Sequence, residues 1–440
     1  MLLNPARTDA AGEVGVDTGF PRAAPAWSAG TRFLFRFGFA YLILYCLPFP
    51  LHYIPYVSVV AEPYEAFWNA LVPWVGKALF GLEITVVPNG SGDTSYNYVQ
   101  MLCFFGIALA AALIWTALDR KRPKYERLYE VLRAYVRLTL AVAMISYGAI
   151  KIVKSQFPDP SIDRLLQPFG DASPMGLLWT FMSASAAYNV FAGASEMLGG
   201  LLLTFRRTTL LGALVSAGAM ANVAMLNFSY DVPVKLYSIH LLLMAVFLML
   251  PDLRRLAGLF VLHRAVPPAE VRPFFRRRWM DRTALAARTA FILFILYFAF
   301  SGALANRKRY LEKPKFFGVW NVQRLVIDGR ERPFVVDDGG RWHRVVFSSP
   351  NILAIQDLNG HRQRYLIDGE ETPGTWSLSS RQDPDFKAKL SYAQPRPDIL
   401  ELQGDLEGRS IQATLHKGPI PPALLTERGF HWINERPFNR

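Results

Sequence analysis

Seven apolar runs dominate this chain of 440 residues, at 33–49, 98–118, 137–153, 186–205, 208–228, 236–251 and 283–304. A bilayer-spanning helix needs roughly 20 predominantly apolar residues, within about 17–25. Runs of that length predict an all-α, multi-pass membrane bundle of about seven spans. The chain is 52% hydrophobic and only 19% charged, against about 25% charged in an ordinary soluble protein. The shortfall lies in the apolar runs, while the last third is normally polar. A membrane part with a soluble part attached follows.

The formal net charge of +13 does not mark a nucleic-acid binder, because the basic residues sit in short segments between apolar runs. Arg and Lys crowd 119–133, 206–207 and 254–288, whereas 50–95 holds one lysine, Lys77, among several acids. The bias alternates along the seven runs and places the amino terminus in the cytoplasm and the carboxyl terminus outside. Residues 1–30, rich in Ala, Gly and Pro, are expected to be a disordered cytoplasmic tail. Residues 31–305 form the transmembrane domain and 306–440 a periplasmic domain.

Two further stretches have a helical, interfacial character. EPYEAFWNALVPWVGKALFGL, 62–82, spaces charges around Trp68 and Trp74 and can lie along the outer surface. SPMGLLWTFMSAS, 173–185, is too short to span and reads as a half-helix leading into the fourth run. Beyond residue 306 the period changes. GVWNVQRLVI, RWHRVVF, ILAIQDL, TWSLSS, FKAKLSYA, ILELQGDL and SIQATLHKG are short β-branched or aromatic runs broken by NG, DG and EG turns. Seven or eight such strands predict a soluble all-β antiparallel meander closed as a barrel. Gly318-Val319-Trp320 resembles the opening of lipocalin-like barrels. The ending 429–440, with Trp432 and Phe438, is expected to fold back as a plug or to dock on the membrane part.

One carboxylate, Glu196, stands within the fourth run. Ten residues separate it from Arg206, about 15 Å of helix, which is half a hydrocarbon core of roughly 30 Å. An unpaired charge there costs at least about 2.5–3.5 kcal/mol, so it should face protein or water and have a partner. Gly193, Gly199, Ala192 and Gly200, at three and four residues on either side, make a small-residue stripe on which another helix can approach. Candidate partners lie on neighbouring runs. Lys151 follows Tyr147 by four residues. Asp231 and Lys235 are also four apart, with His240 about one turn deeper, and Asn222 and Asn227 supply amides. Together they predict a polar pocket open to the outer face, with Glu196 at the floor and Lys151, Asp231, Lys235 and His240 around the mouth. The alternative is a buried hydrogen-bond cluster that fixes helix register.

The loop PNGSGDTSYNYVQ, 88–100, offers Asp93 and Tyr96 as residues facing a substrate at the outer mouth. It lacks the Gly-Lys-Ser/Thr of a nucleotide loop. Cys46 and Cys103 lie within apolar runs and have no metal spacing, so they read as buried small hydrophobes. Of seven histidines only His52 and His240 lie near spans, and nothing else in the sequence supports haem. No HExxH, GxSxG or paired-histidine metal motif occurs.

SYGAIKI at 146–152, followed by ASEMLGGLLLTFRRTTLLGALVSAGAM at 194–220, resembles the DoxX family of bacterial membrane proteins. That family carries Gly-x-x-Lys at the end of one helix, then Glu-x-x-Gly-Gly-x-x-Leu reaching a short turn with arginine. Gly148, Lys151, Glu196, Gly199, Gly200, Arg206 and Arg207 fit this pattern, and the resemblance covers about 130–250. It implies a four-helix core in the bacterial cytoplasmic membrane and links to quinone-coupled sulfur oxidation or redox-protection complexes. A distant similarity to the membrane core of vitamin K-dependent carboxylases implies a lysine or carboxylate acting on a lipid-soluble quinol. The expected function is a subunit or accessory of a quinone-linked membrane oxidoreductase in which Glu196 and Lys151 are catalytic. Its partners are then the bilayer, a quinone or quinol, and a periplasmic or membrane protein. The rival is a non-enzymatic envelope binding or assembly factor whose outer β domain captures a ligand or partner.

Overall fold

The computed structural model describes residues 26–53, 58–86, 90–268, 277–334, 340–372, 374–380, 383 and 385–439. The expected tail therefore falls outside the described residues up to position 25. The helical part comprises α1 (Ala29–Cys46), α2 (Ser58–Phe80), α3 (Ser95–Leu118), α4 (Glu126–Ile152), α5 (Ile162–Leu165), α6 (Pro174–Ala184), α7 (Ala186–Leu203), α8 (Thr209–Ser229), α9 (Lys235–Met249), α10 (Leu253–Phe260) and α11 (Arg278–Leu311). Among the described residues, five segments are long and apolar enough to cross a membrane: Ser95–Leu118, Glu126–Ile152, Thr209–Ser229, Lys235–Phe260 and Arg278–Leu311. The first and fourth expected spans, α1 and α7, are outside that set. Each has 18 residues, about 27 Å of helix, and each carries polar side chains, Arg32 and Arg36 in α1 and Asn189 and Glu196 in α7.

Local signals set the helix ends. Thr94 and Asn97 form a reciprocal capping box that starts α3, and Ser173 caps α6 ahead of Pro174 at its first turn. The side chain of Ser185 accepts from the amide of Tyr188 and starts α7 directly after α6.

Helices α4 and α7 cross with their backbones in close approach. A Cβ added at Gly148 would sit 2.7 Å from the carbonyl oxygen of Gly193, and one added at Gly193 would sit 2.7 Å from that of Gly148. Two turns on, Gly200 meets the Ala141 carbonyl of α4, while Gly199 faces Ser216 of α8. Three members of the expected small-residue stripe therefore hold α7 against α4 and α8. Around this crossing, Leu140, Ala141, Met144, Leu203, Ala213, Met244 and Leu248 form a buried core.

The carboxyl-terminal part is one antiparallel sheet of nine strands: β1 (Gly318–Ile327), β2 (Arg330–Glu331), β3 (Trp342–Phe347), β4 (Ile352–Asp357), β5 (Arg362–Thr372), β6 (Thr375–Ser379), β7 (Lys387–Arg396), β8 (Ile399–Leu406) and β9 (Arg409–Gly418). From β3 to β9 each strand pairs with the next, and β1 pairs with both β3 and β9. Eight strands thus close into a barrel, with β2 a short arm folded on the end of β1. Asp328-Gly329 and Glu407-Gly408 have positive φ at both positions. That is the backbone which tight hairpins between right-twisted strands require. The barrel interior is filled by Trp320, Leu325, Val345, Phe347, Leu353, Leu378, Leu390, Leu400 and Leu415. The indole of Trp320 donates to the Phe316 carbonyl at 2.8 Å.

The segment after α4 binds the outside of the barrel. Asp163 of α5 is buried, and its Oδ2 accepts from Arg364 Nε at 2.6 Å and Arg362 Nη1 at 2.9 Å, while Ser348 donates to Oδ1 at 2.7 Å. Beside this, Ile162 and Leu166 pack on Val319, Val346 and Ala354, and Gln356 Nε2 donates to the Leu166 carbonyl at 3.0 Å. Arg307, near the end of α11, donates to the Val153 carbonyl at 3.0 Å.

Candidate functional site

At the end of α4, Lys151 turns toward the middle of α7. Its Nζ lies 2.8 Å from Glu196 Oε2, and the two side chains are 8% and 3% exposed. Such an ion pair is nearly fully desolvated, so each charge depends on the other. The glycines explain why the two meet: Gly148 and Gly193, one turn before Lys151 and Glu196, bring the backbones together. Lys151 Nζ also lies over the Tyr147 ring, 5.4 Å from its centroid.

The pair opens on a cavity of about 300 Å³. Its walls are mainly apolar and aromatic, among them Phe157, Trp179, Met182, Met220 and Leu226, with Ser195, Asn222 and Asn227 as polar points. Phe191 of α7 is 67% exposed and lines the same cavity. Asn222 of α8 is exposed as well, so the cavity reaches the flank of the bundle between α7 and α8. Asn227 is tied down, its Nδ2 donating to Ser238 Oγ at 3.1 Å. A second space of about 810 Å³ lies behind Tyr147 and Tyr237, between α1, α2, α3, α4 and α9. The two rings, 5.7 Å apart between centroids, line both spaces and form a wall between them.

Of the expected site residues, Glu196, Lys151, Tyr147 and Asn222 share the first cavity. Tyr96 lines the second and donates to Asn69 Oδ1 at 2.9 Å. The remaining four do not line the mouth of the first cavity, because each is engaged by a hydrogen bond or ion pair elsewhere. Asp93 caps α9, accepting from the backbone amides of Lys235 at 2.7 Å and Leu236 at 3.0 Å. Lys235 pairs with exposed Asp231 at 2.9 Å, one helical turn away. His240 faces α1, with Nε2 2.7 Å from the Tyr41 hydroxyl, Nδ1 2.6 Å from the Leu236 carbonyl, and its ring stacked on Tyr45. The pocket is therefore an apolar cavity with one ion pair, not a ring of charges. With both nitrogens of His240 engaged, nothing in its geometry favours haem; the His52 side chain lies outside the described residues. Among the described residues no cluster of three metal-ligating side chains occurs. Cys46 and Cys103 are free and buried.

Several contributors had no sequence signal. Phe157, Trp179 and Met182 roof the cavity from the segment between α4 and α7, where aromatic spacing alone does not reveal what they cover. Arg36 is another. It is 2% exposed in α1 and is satisfied by Thr116 Oγ1, the Asp119 carbonyl and the Tyr125 hydroxyl. This is a structural lock between α1 and the α3–α4 connection.

Comparison with known proteins gives one match to report. Over 129 residues the chain is 32% identical to "Uncharacterized protein YwoB" of Bacillus subtilis (strain 168), a stretch covering 29% of this chain and 80% of that protein. No family model matches the chain, and no solved structure matches it.

Proposed function

The chain belongs to the same family as YwoB of Bacillus subtilis, and we propose that it is a DoxX-like protein of the bacterial cytoplasmic membrane that receives a lipid-soluble quinol. In this role it is a subunit or accessory of a quinone-linked membrane oxidoreductase. One observation carries the proposal: a buried Lys151–Glu196 pair, 2.8 Å between its charged atoms, forms one end of an apolar cavity that opens on the flank of the helices. A flat, apolar ring with hydroxyl groups suits such a space, since the walls take the ring and the pair takes the hydroxyl. Glu196 accepts the quinol proton while Lys151 keeps the local charge balanced. The electrons leave to the redox partner of the complex. α1 and α7 complete seven spans, the amino terminus is cytoplasmic, and the barrel is periplasmic.

The test uses the full chain purified in mild detergent. Wild type should retain a co-extracted quinone, visible by absorption and mass spectrometry, and Glu196→Gln should insert normally but lose it along with quinol-dependent turnover. Equal quinone content and turnover in the two proteins would remove the proposal.

A second role, an envelope binding or assembly factor, is favoured by Phe430, Trp432 and Ile433, which are 76%, 90% and 77% exposed after the last strand. A recess of about 370 Å³ at one end of the barrel, lined by Ile327, Trp342, Ile355, Leu406 and Ile411, offers a ligand a place in addition to this exposed tail. Removing 306–440 separates the two roles, because quinone binding survives only if it belongs to the helices.

A further inference from the structure

A second polar site lies at the other end of α4. Arg137 and Lys151 are fourteen residues apart on that helix, about 21 Å, so this site shares nothing with the ion pair above. It is a cavity of about 330 Å³ to which α4 contributes Arg133 and Arg137, the α7–α8 turn Arg206 and Arg207, and α10 Arg255. Among the described residues that line it, the carboxylates are Glu130 and Asp252, and Asp252 is already ion-paired with Arg255. Leaving aside Arg206 and the Arg255–Asp252 pair, Arg133, Arg137 and Arg207 face one described carboxylate, Glu130, a net of two positive charges.

Arg137 is 8% exposed, donates to Thr209 Oγ1 at 3.2 Å, and makes no ion pair among the described residues. Arg133 is held over the Tyr129 ring and donates to the Leu248 carbonyl at 3.3 Å. Its Nε is buried and has no hydrogen-bond partner among the described residues. Arg133, Arg206 and Arg288 all lie within electrostatic reach of Arg137 and repel it. Gathering like charges around a buried guanidinium is costly unless an anion completes the set. Among the described residues no lysine lines the cavity. Planar guanidinium forks match the oxygen geometry of phosphate, where an ammonium acts as a point charge.

We propose that this arginine-lined cavity binds a phosphate-bearing anion, either the headgroup of an acidic phospholipid or a soluble phosphate. Basic pockets between membrane helices recognise anionic headgroups by the same chemistry. The full chain in neutral detergent is titrated with phosphatidylglycerol in mixed micelles and, separately, with inorganic phosphate, and binding is read by native mass spectrometry and by the shift in melting temperature. Binding of either probe, weakened at least about tenfold in Arg137→Gln and unchanged in Lys121→Gln outside the cavity, supports the site, and the probe that binds identifies the source. Arg207→Gln removes an exposed member of the set and serves if Arg137→Gln does not fold. The proposal is overturned if neither probe binds, or if binding is the same in wild type and the cavity variants.

Discussion

Replacing Lys151 by methionine, Glu196 by methionine, and both together forms a thermodynamic cycle on the ion pair. Both side chains are under a tenth exposed and the charged atoms are 2.8 Å apart. Removing one partner strands the other charge in an apolar cavity, a change worth about 3–5 kcal/mol for a buried pair. At about 2 °C per kcal/mol for a domain of this size, each single variant should melt roughly 6–10 °C below wild type. The double variant should recover most of that loss, since two methionines of similar volume leave no uncompensated charge in the cavity. Thermal unfolding of the purified chain in mild detergent, followed by intrinsic tryptophan fluorescence, measures all four proteins. Single losses below about 1 kcal/mol that simply add in the double variant would mean that the pair is solvated. The desolvated site would then be refuted.

Two other perturbations report on how the site is held. Gly193→Leu must displace the Gly148 carbonyl and Lys151 Cβ, both 2.7 Å from a Cβ at that position. It should cost at least about 1–3 kcal/mol, and the yield of folded protein by size-exclusion chromatography checks this. Asp163→Asn should release the α5 segment from β5, at about 3 kcal/mol, the low end for a buried pair because the Arg364 side chain is 37% exposed; hydrogen exchange across 362–364 would rise if so. Burial alone would raise the Asp163 carboxyl, but Arg364 first, then hydrogen bonds from Ser161 and Ser348 and the charge of Arg362, hold it below its ordinary value. A depressed pKa means that the contact is at full strength above the ordinary carboxylate range and weakens only as pH falls through the lowered value. The same exchange signal should therefore stay low at neutral pH and rise only in strong acid.

Which residues would meet was readable wherever the signal was local. Gly193, Gly199 and Gly200 announced a close helix approach, and a carboxylate amid apolar residues demanded a partner that Lys151 supplies. The strands from GVWNVQRLVI to SIQATLHKG appear as β1, β3, β4 and β6 to β9. β5 escaped because RQRYLIDGEET is polar along most of its length, as a strand can be when its outer face binds Asp163. The charges assigned to the pocket mouth failed for a related reason. The spacing of Asp231 and Lys235 shows that they can pair, but nothing near Asp93 in sequence shows that its carboxylate caps a helix 142 residues later. His240 likewise takes its partner from Tyr41, on α1. Hydrogen bonds between distant segments leave no periodic trace.

The grip of the α5 segment on the barrel begins about ten residues after Lys151, at Ser161 and Asp163. Val153 is bonded to α11, and Asp163 is bonded to β5. A force applied to the barrel, by a protein that grasped its exposed tail, would therefore run along this short tether to the last turn of α4. That turn carries the ammonium facing Glu196. A pull on the barrel would then be resisted first at Val153, where α11 holds the chain two residues from that ammonium.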